Sequence, residues 1–168
     1  MKIDLNADVA EGCGQDDKLL TIVSSANVCC GLHAGSYSEM LATLQLAKEN
    51  NVSVGAHPGL NNQAAIDEDL SDILVSEIKR FDPNLKVMGL SGGYLVKSAK
   101  KHGLEAISEV FADRNYEKDG SLVSRSKDNA LITDTDDAVK HVLQMITEGT
   151  VTSVCGQTVP VEAQSICL

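Results

Sequence analysis

Tryptophan is missing from this chain, and three tyrosines and two phenylalanines make up its whole aromatic content. Without the large burial that aromatic rings supply, the core must be built from Val, Ile, Leu and Ala. Such a complement suits parallel strands covered on both faces. Long apolar runs are lacking too: no stretch approaches the roughly 20 residues needed to span a bilayer, which excludes a membrane helix. Met1 leads directly into a strand-like segment, so no signal peptide is expected. Positive charge is scarce, with 14 Lys and Arg against 24 Asp and Glu and a formal net charge of −10. This excludes nucleic acid as the expected partner, because phosphate binding needs a basic stripe. A small anion stays compatible if a few Arg or Lys converge. The cysteines number five, an odd count at irregular spacing, which excludes a disulfide framework and points to reduced thiols in a cytoplasm. No G-x-x-x-x-G-K-[ST] loop and no G-x-S-x-G elbow occur, so neither a P-loop nucleotide site nor the common serine-hydrolase turn is expected.

What is present alternates regularly. In "KIDLNADVAEG", Ile3, Leu5, Ala7 and Val9 fall on one side and Asp4, Asn6 and Asp8 on the other, a period of two that predicts a strand. "TIVSSANVCC" predicts a second strand, ending near Cys30, and "VSVGA" a third that runs into "HPG". Helical spacing of Met40, Leu41, Leu44 and Ala47 predicts a helix over 36–51 capped by Ser36 or Ser38. An amphipathic helix is expected over 67–81, with Leu70, Ile73, Leu74, Ile78 and Phe81 on its apolar face. "KVMGL" and "EAISEVF" read as strands around the helix "YLVKSAKKHG". A last helix over 134–148 turns Val139, Val142, Leu143 and Ile146 inward and stops at Gly149, before a closing strand "SICL". Strands and helices alternating through 168 residues predict one α/β domain with a parallel sheet.

In such folds the functional groups collect in the loops after the strands. Asp8 and Glu11 follow the first strand, His33 the second and His57 the third. Ser91, Gly92 and Gly93 follow the fourth, and Asp113 with Arg114 the fifth. Most of the unusual polar residues are therefore expected on one rim. Each has a plainer reading. Asp4, Asn6 and Asp8 also fit the wet face of an edge strand, the Gly92–Gly93 pair fits a tight turn, and Asp113–Arg114 fits a surface ion pair. His102 and His141, on helices near lysines, read as solvated. Adjacent residues of a strand point to opposite faces, so Cys29 and Cys30 are not expected to share an ion and read as core thiols. Asp8, His33 and His57, two imidazoles and a carboxylate, make a chemically sound metal set with an open position.

Taken together, "KIDLNADVAEG", "SANVCCGLHAGS", "VSVGAHPG", "EVFADRNYEKDGSLVSRS", "EGTVTSVCGQTVPV" and "SICL" resemble, in order, the motifs of the LamB/YcsF lactam-utilisation family, the A subunits of bacterial 5-oxoprolinases. The resemblance implies a distorted, TIM-like β/α barrel related to deacetylase-type folds. It also implies a cytoplasmic hydrolase that opens 5-oxoproline to L-glutamate at the expense of ATP, with partner subunits B and C. ATP would be consumed at this or a partner subunit, Mg is compatible with it, and no metal is assigned to the chain itself. Carried over position by position, the family's polar residues fall on Asp8, Glu11, His33 and His57 as catalytic groups. Asn6, Glu109, Asp113, Arg114 and Arg125 fall to substrate binding. Asp8 or Glu11 would serve as base, the two histidines as proton carriers, and the arginines as counter-charges for carboxylate or phosphate.

The departures matter as well. Family members are longer and carry a Lys-Pro-His-Gly-Ala-Leu-Tyr strand exit that this chain lacks, and "LNNQAAIDEDL" resembles the segment just after it. Residues are therefore expected to be missing near 59–61 and after Leu168, leaving the barrel incomplete. Ser36 stands where an aspartate is common. Two other readings remain beside the lactam one: a zinc-dependent deacetylase or amidohydrolase using Asp8, His33 and His57, and a non-catalytic subunit that binds the lactam for a larger complex.

Overall fold

A computed structural model describes residues 3–31, 33–57 and 67–168. The chain divides into two compact units, Met1–Asn62 with Cys167–Leu168, and Gln63–Ile166. The expected break near 59–61 lies outside the described residues.

In the first unit, strands β1 (Asp4–Val9), β2 (Ser25–Cys29) and β3 (Ser53–His57) are all parallel, with β2 in the middle. Helix α1 (Asp16–Leu19) follows β1, and α2 (Tyr37–Glu49) follows β2. The alternation in β1 is realised: Ala7 and Val9 are buried with Ala26, Val28, Leu20 and Ala47 in one aliphatic core. Small residues set the geometry. Ala7 sits beside Ala26 in the register, and the buried residues of α2 are Thr43 and Ala47, so the helix backbone can approach the strands closely. Ser36 begins α2 as a reciprocal cap, its hydroxyl accepting the Glu39 amide at 3.2 Å and donating to the Glu39 carboxylate at 2.7 Å.

In the second unit, β4 (Lys86–Leu90) lies parallel to β5 (Glu105–Phe111), and helices α3 (Glu68–Phe81) and α4 (Tyr94–His102) pack on each other. Helix α5 (Thr135–Glu148) precedes an antiparallel hairpin, β6 (Thr150–Thr152) with β7 (Thr158–Pro160), and β8 (Ser165–Cys167), whose last residue is counted with the first unit, comes last. Asp67 and Asp134 cap α3 and α5 by accepting the amides of Leu70 and Asp137 at 3.0 Å. Gly103 and Gly149 end α4 and α5 at φ 72° and 65°, backbone that a side chain would strain.

The parallel strand–helix succession is the α/β class, of the TIM-like kind, that the sequence predicts. The apolar faces of two helices need correction. On α3, Ile73 and Phe81 are 62% and 87% exposed, while Ser71 and Val75 are buried. On α5, Val139 and Leu143 are exposed and Met145 is buried, with Val142 and Ile146 half-buried. Spacing marks an apolar stripe, but helix contact is settled by the residues that permit closest approach. Here Val75 meets the small Ala99 of α4. The short α1 and the β6–β7 hairpin carry too few residues for either periodicity to register.

Candidate active site

Three strand ends of the first unit supply the cluster. Register aligns Asp8 of β1 with Asn27 of β2, and Asn27 with Gly55 of β3. Positions paired in register share a face, as does Asn6, two residues before Asp8 on the same strand. The Asn27 amide donates at 3.1 Å to both Asn6 Oδ1 and Asp8 Oδ1, which fixes the Asp8 carboxylate. A methyl at Gly55 would come within 3.3 Å of Asn27 Oδ1, so the small residue leaves room for this bridge. One strand-step further, Cys29 pairs with His57 in the register.

Beyond the strands, the loops are fastened by their backbones. Ala10, at φ 63°, donates its amide to Asp16 Oδ2 at 2.8 Å, and the Thr43 hydroxyl donates to the same oxygen at 2.9 Å. Gly35 lies against the Ala10 carbonyl so closely that a Cβ there would be 1.9 Å from the oxygen. That contact draws together the loop bearing Glu11 and the loop bearing His33. The Cys29 thiol donates to the Ala34 carbonyl at 2.8 Å and adds a second tie. Cys29 is buried and Cys30 exposed, so the adjacent pair faces opposite ways.

The result is a compact set of two carboxylates and two imidazoles. His33 Nε2 is 3.3 Å and His57 Nε2 3.6 Å from the same oxygen, Glu11 Oε1. Asp8 Oδ2 is 3.8 Å from His57 Nε2. The rings meet edge to face, with centroids 4.9 Å apart. Each of the four side chains is about a third exposed, open enough for a substrate and sheltered enough to hold its geometry. Such a set can move protons, accept them from water, or offer donors to a cation: Glu11, His33 and His57 each present a ligand atom within 4.8 Å of the others.

The other candidates belong to the second unit. Glu109 is buried on β5, and its carbonyl accepts the Ser91 amide at 2.8 Å. Gly93 donates its amide to the Leu90 carbonyl at 2.8 Å, which is the tight-turn reading of the glycine pair. Asp113 is half-buried and Arg125 exposed. Arg114 is no surface ion pair: it is 7% exposed, donates from Nη2 to the Val123 carbonyl at 2.6 Å, and its Nε has no hydrogen-bond partner among the described residues. Burial and the neighbouring Arg125 cation lower its pKa, against the pull of Asp113. Neither helical histidine is simply solvated. His102 Nε2 is 2.9 Å from Asp72 Oδ1. His141 packs beside the Tyr116 ring, and burial lowers its pKa despite a hydrogen bond to the Arg114 backbone.

Sequence reasoning passes over Asn27, Gly35, Gly55 and Asp16, which hold the cluster without joining it. Only Asn27 leaves a trace, as an amide between Ala26 and Val28 in the middle of its strand.

Comparison with known proteins agrees over the whole chain. The family model described as "LamB/YcsF family" matches residues 3–62 and 59–168. A protein of Histophilus somni named as the A subunit of 5-oxoprolinase is 42% identical, the match covering 99% of this chain and 87% of that protein. One of the same name from Neisseria meningitidis is 38% identical, with 99% and 88% covered. Both alignments run over 216 residues, more than this chain contains. The crystal structure of a lactam utilization protein from Thermus thermophilus has a TM-score of 0.90 and 30% identity, covering 100% of this chain and 90% of that one. With motifs, fold and full-length similarity in agreement, the chain belongs to the LamB/YcsF family.

Proposed function

We propose that this chain is the A subunit of a cytoplasmic, ATP-dependent 5-oxoprolinase that opens 5-oxoproline to L-glutamate together with subunits B and C. The observation that carries the reading is the 42% identity, over 99% of the chain, to a protein named as the A subunit of 5-oxoprolinase. The clustered carboxylates and imidazoles supply chemistry that suits it.

A five-membered lactam is a stable amide, and its opening needs an outside driving force. Transfer of the γ-phosphoryl group of ATP to the amide oxygen releases ADP and makes the ring carbon electrophilic. Water then adds, the C–N bond breaks with the electron pair going to nitrogen, and an acyl phosphate remains. A second water releases phosphate and completes glutamate. On this path Asp8 or Glu11 takes the proton from the attacking water. His33 and His57, both close to Glu11, relay protons to the departing nitrogen. The family resemblance gives Arg114 and Arg125 to carboxylate or phosphoryl charge and Glu109 and Asp113 to the lactam, whereas Asn6, wholly buried and bonded to Asn27, helps hold Asp8 in place. ATP, with Mg, is consumed at this or a partner subunit. The same reading takes residues to be missing near 59–61, which the meeting of the two family-model stretches at 59–62 supports.

The test is glutamate release from 5-oxoproline, with ATP, by this chain alone and after assembly with B and C subunits of a relative. Release by the assembled complex that stops when ATP or this chain is withheld is the expected result. An assembled complex that releases no glutamate overturns the proposal.

A further inference from the structure

We infer that Glu11, His33 and His57 form a site for a divalent late first-row metal ion of the zinc type. The first support is spacing. In a tetrahedral site with bonds of about 2.0–2.1 Å, neighbouring donor atoms lie about 3.3–3.4 Å apart. Glu11 Oε1 is 3.3 Å from His33 Nε2 and 3.6 Å from His57 Nε2, and the three ligand atoms lie within 4.8 Å of one another. Ordinary N–H···O bonds are shorter, mostly about 2.7–3.2 Å. The His33 contact is also within hydrogen-bond reach, so the support lies in both imidazoles converging on one carboxylate oxygen, close to the separation that ligands of a common ion keep.

Donor chemistry is the second support. Two imidazoles and a carboxylate suit zinc and its neighbours, whereas magnesium prefers an all-oxygen shell with several waters. Charge is the third. Asp8 and Glu11 form ion pairs with the two histidines only; no Lys or Arg bridges to either among the described residues. Two neighbouring carboxylates with no described Lys or Arg bridged to them raise the local concentration of cations. Finally, each donor is about a third exposed, which leaves a path for the ion and an open position for water or a ligand.

The structure changes the membership of the metal set read from the sequence. Asp8 Oδ1 is taken by the Asn27 amide at 3.1 Å and Oδ2 stands 3.8 Å from His57 Nε2, while Glu11 reaches both imidazoles. Asp8, held by Asn27, is thus the neighbouring carboxylate beside the ion, and Glu11 the ligand. The inference concerns the same cluster as the lactam reading but does not rest on it, since ion binding is measured without lactam, nucleotide or partner subunits.

The experiment strips the purified chain with a chelator and titrates it with Zn²⁺ by calorimetry, and with Co²⁺ by visible absorption. Saturation at about one ion per chain with a tetrahedral Co²⁺ spectrum is expected. Glu11→Gln, His33→Gln and His57→Gln should each weaken binding by at least the roughly tenfold that loss of even an outer-shell partner costs. Asp8→Asn should weaken it less than Glu11→Gln. His102→Gln, which breaks the separate pair with Asp72, should leave it unchanged. Circular dichroism confirms that each variant is folded, and the conservative Gln replacements keep the side-chain volume. No stoichiometric binding, binding that survives all three ligand substitutions, or a greater loss from Asp8→Asn than from Glu11→Gln overturns the inference. Metal binding without glutamate release would sink only the lactam reading; release without metal binding would sink only this one.

Discussion

His57 tests catalysis at the scale of one residue. It closes β3 and stands within reach of both Glu11 and Asp8, the one imidazole paired with both carboxylates among the described residues. His57→Ala is expected to lower turnover of the assembled complex by about 10²-fold or more, the usual share of a general acid or base. Complex formation, followed by gel filtration, should not change. Retained turnover with altered lactam affinity would instead mark a subunit that only binds. Gly35→Ala probes the scaffold: the left-handed backbone at φ 68° costs about 1–2 kcal/mol with a side chain, and the clash with the Ala10 carbonyl adds to it. A lower urea midpoint and loss of glutamate release should follow together. At this scale the sequence was legible for the histidines and acids themselves, which are rare residue types at strand exits. It was silent on Arg114, because a guanidinium on a loop looks alike whether exposed or, as here, buried under Val123.

Among the elements, the α3–α4 pair is the most informative. Asp72 on α3 accepts from Lys101, Ser98 and His102 at 2.9–3.0 Å, and these bonds, Lys101 foremost, lower its pKa to about 2. A carboxylate whose pKa falls on folding stabilises the fold above its unfolded pKa, near 3.8, and ceases to as pH drops toward 2. Asp72→Asn should flatten that limb of the stability curve between about pH 4 and pH 2 in urea titrations, leaving other groups to set the remainder. Val75 and Ile73 give a second contrast. Val75→Ala removes a fully buried side chain and should cost about 1–3 kcal/mol. Ile73→Gln, on the open side of the same helix, should change stability by no more than about 0.5 kcal/mol. Strands β4 and β5, the cap at Ser36 and the stop at Gly149 could be located from sequence, since turn chemistry and period are local signals. Which side of α3 and α5 is covered could not, because it depends on neighbours distant in the chain.

For the whole molecule, family membership came from ordered motifs spread along the chain, while the division into two compact units left no mark in composition. Described helices include none long and apolar enough to cross a membrane. Relatives align over 216 residues, so grafting a relative's intervening segment at 59–61 should raise glutamate release in the assembled complex above that of the chain as it stands. Equal rates would argue that the segment is dispensable. The bare α-carbon of Gly35, seated on a carbonyl, has a consequence for anyone reshaping this protein. Atomic radii, which neither heat nor solvent can stretch, gauge the gap between the two loops there. Randomised libraries of the 31–36 loop should accordingly return working clones with that position unchanged, whatever new chemistry they are selected to perform.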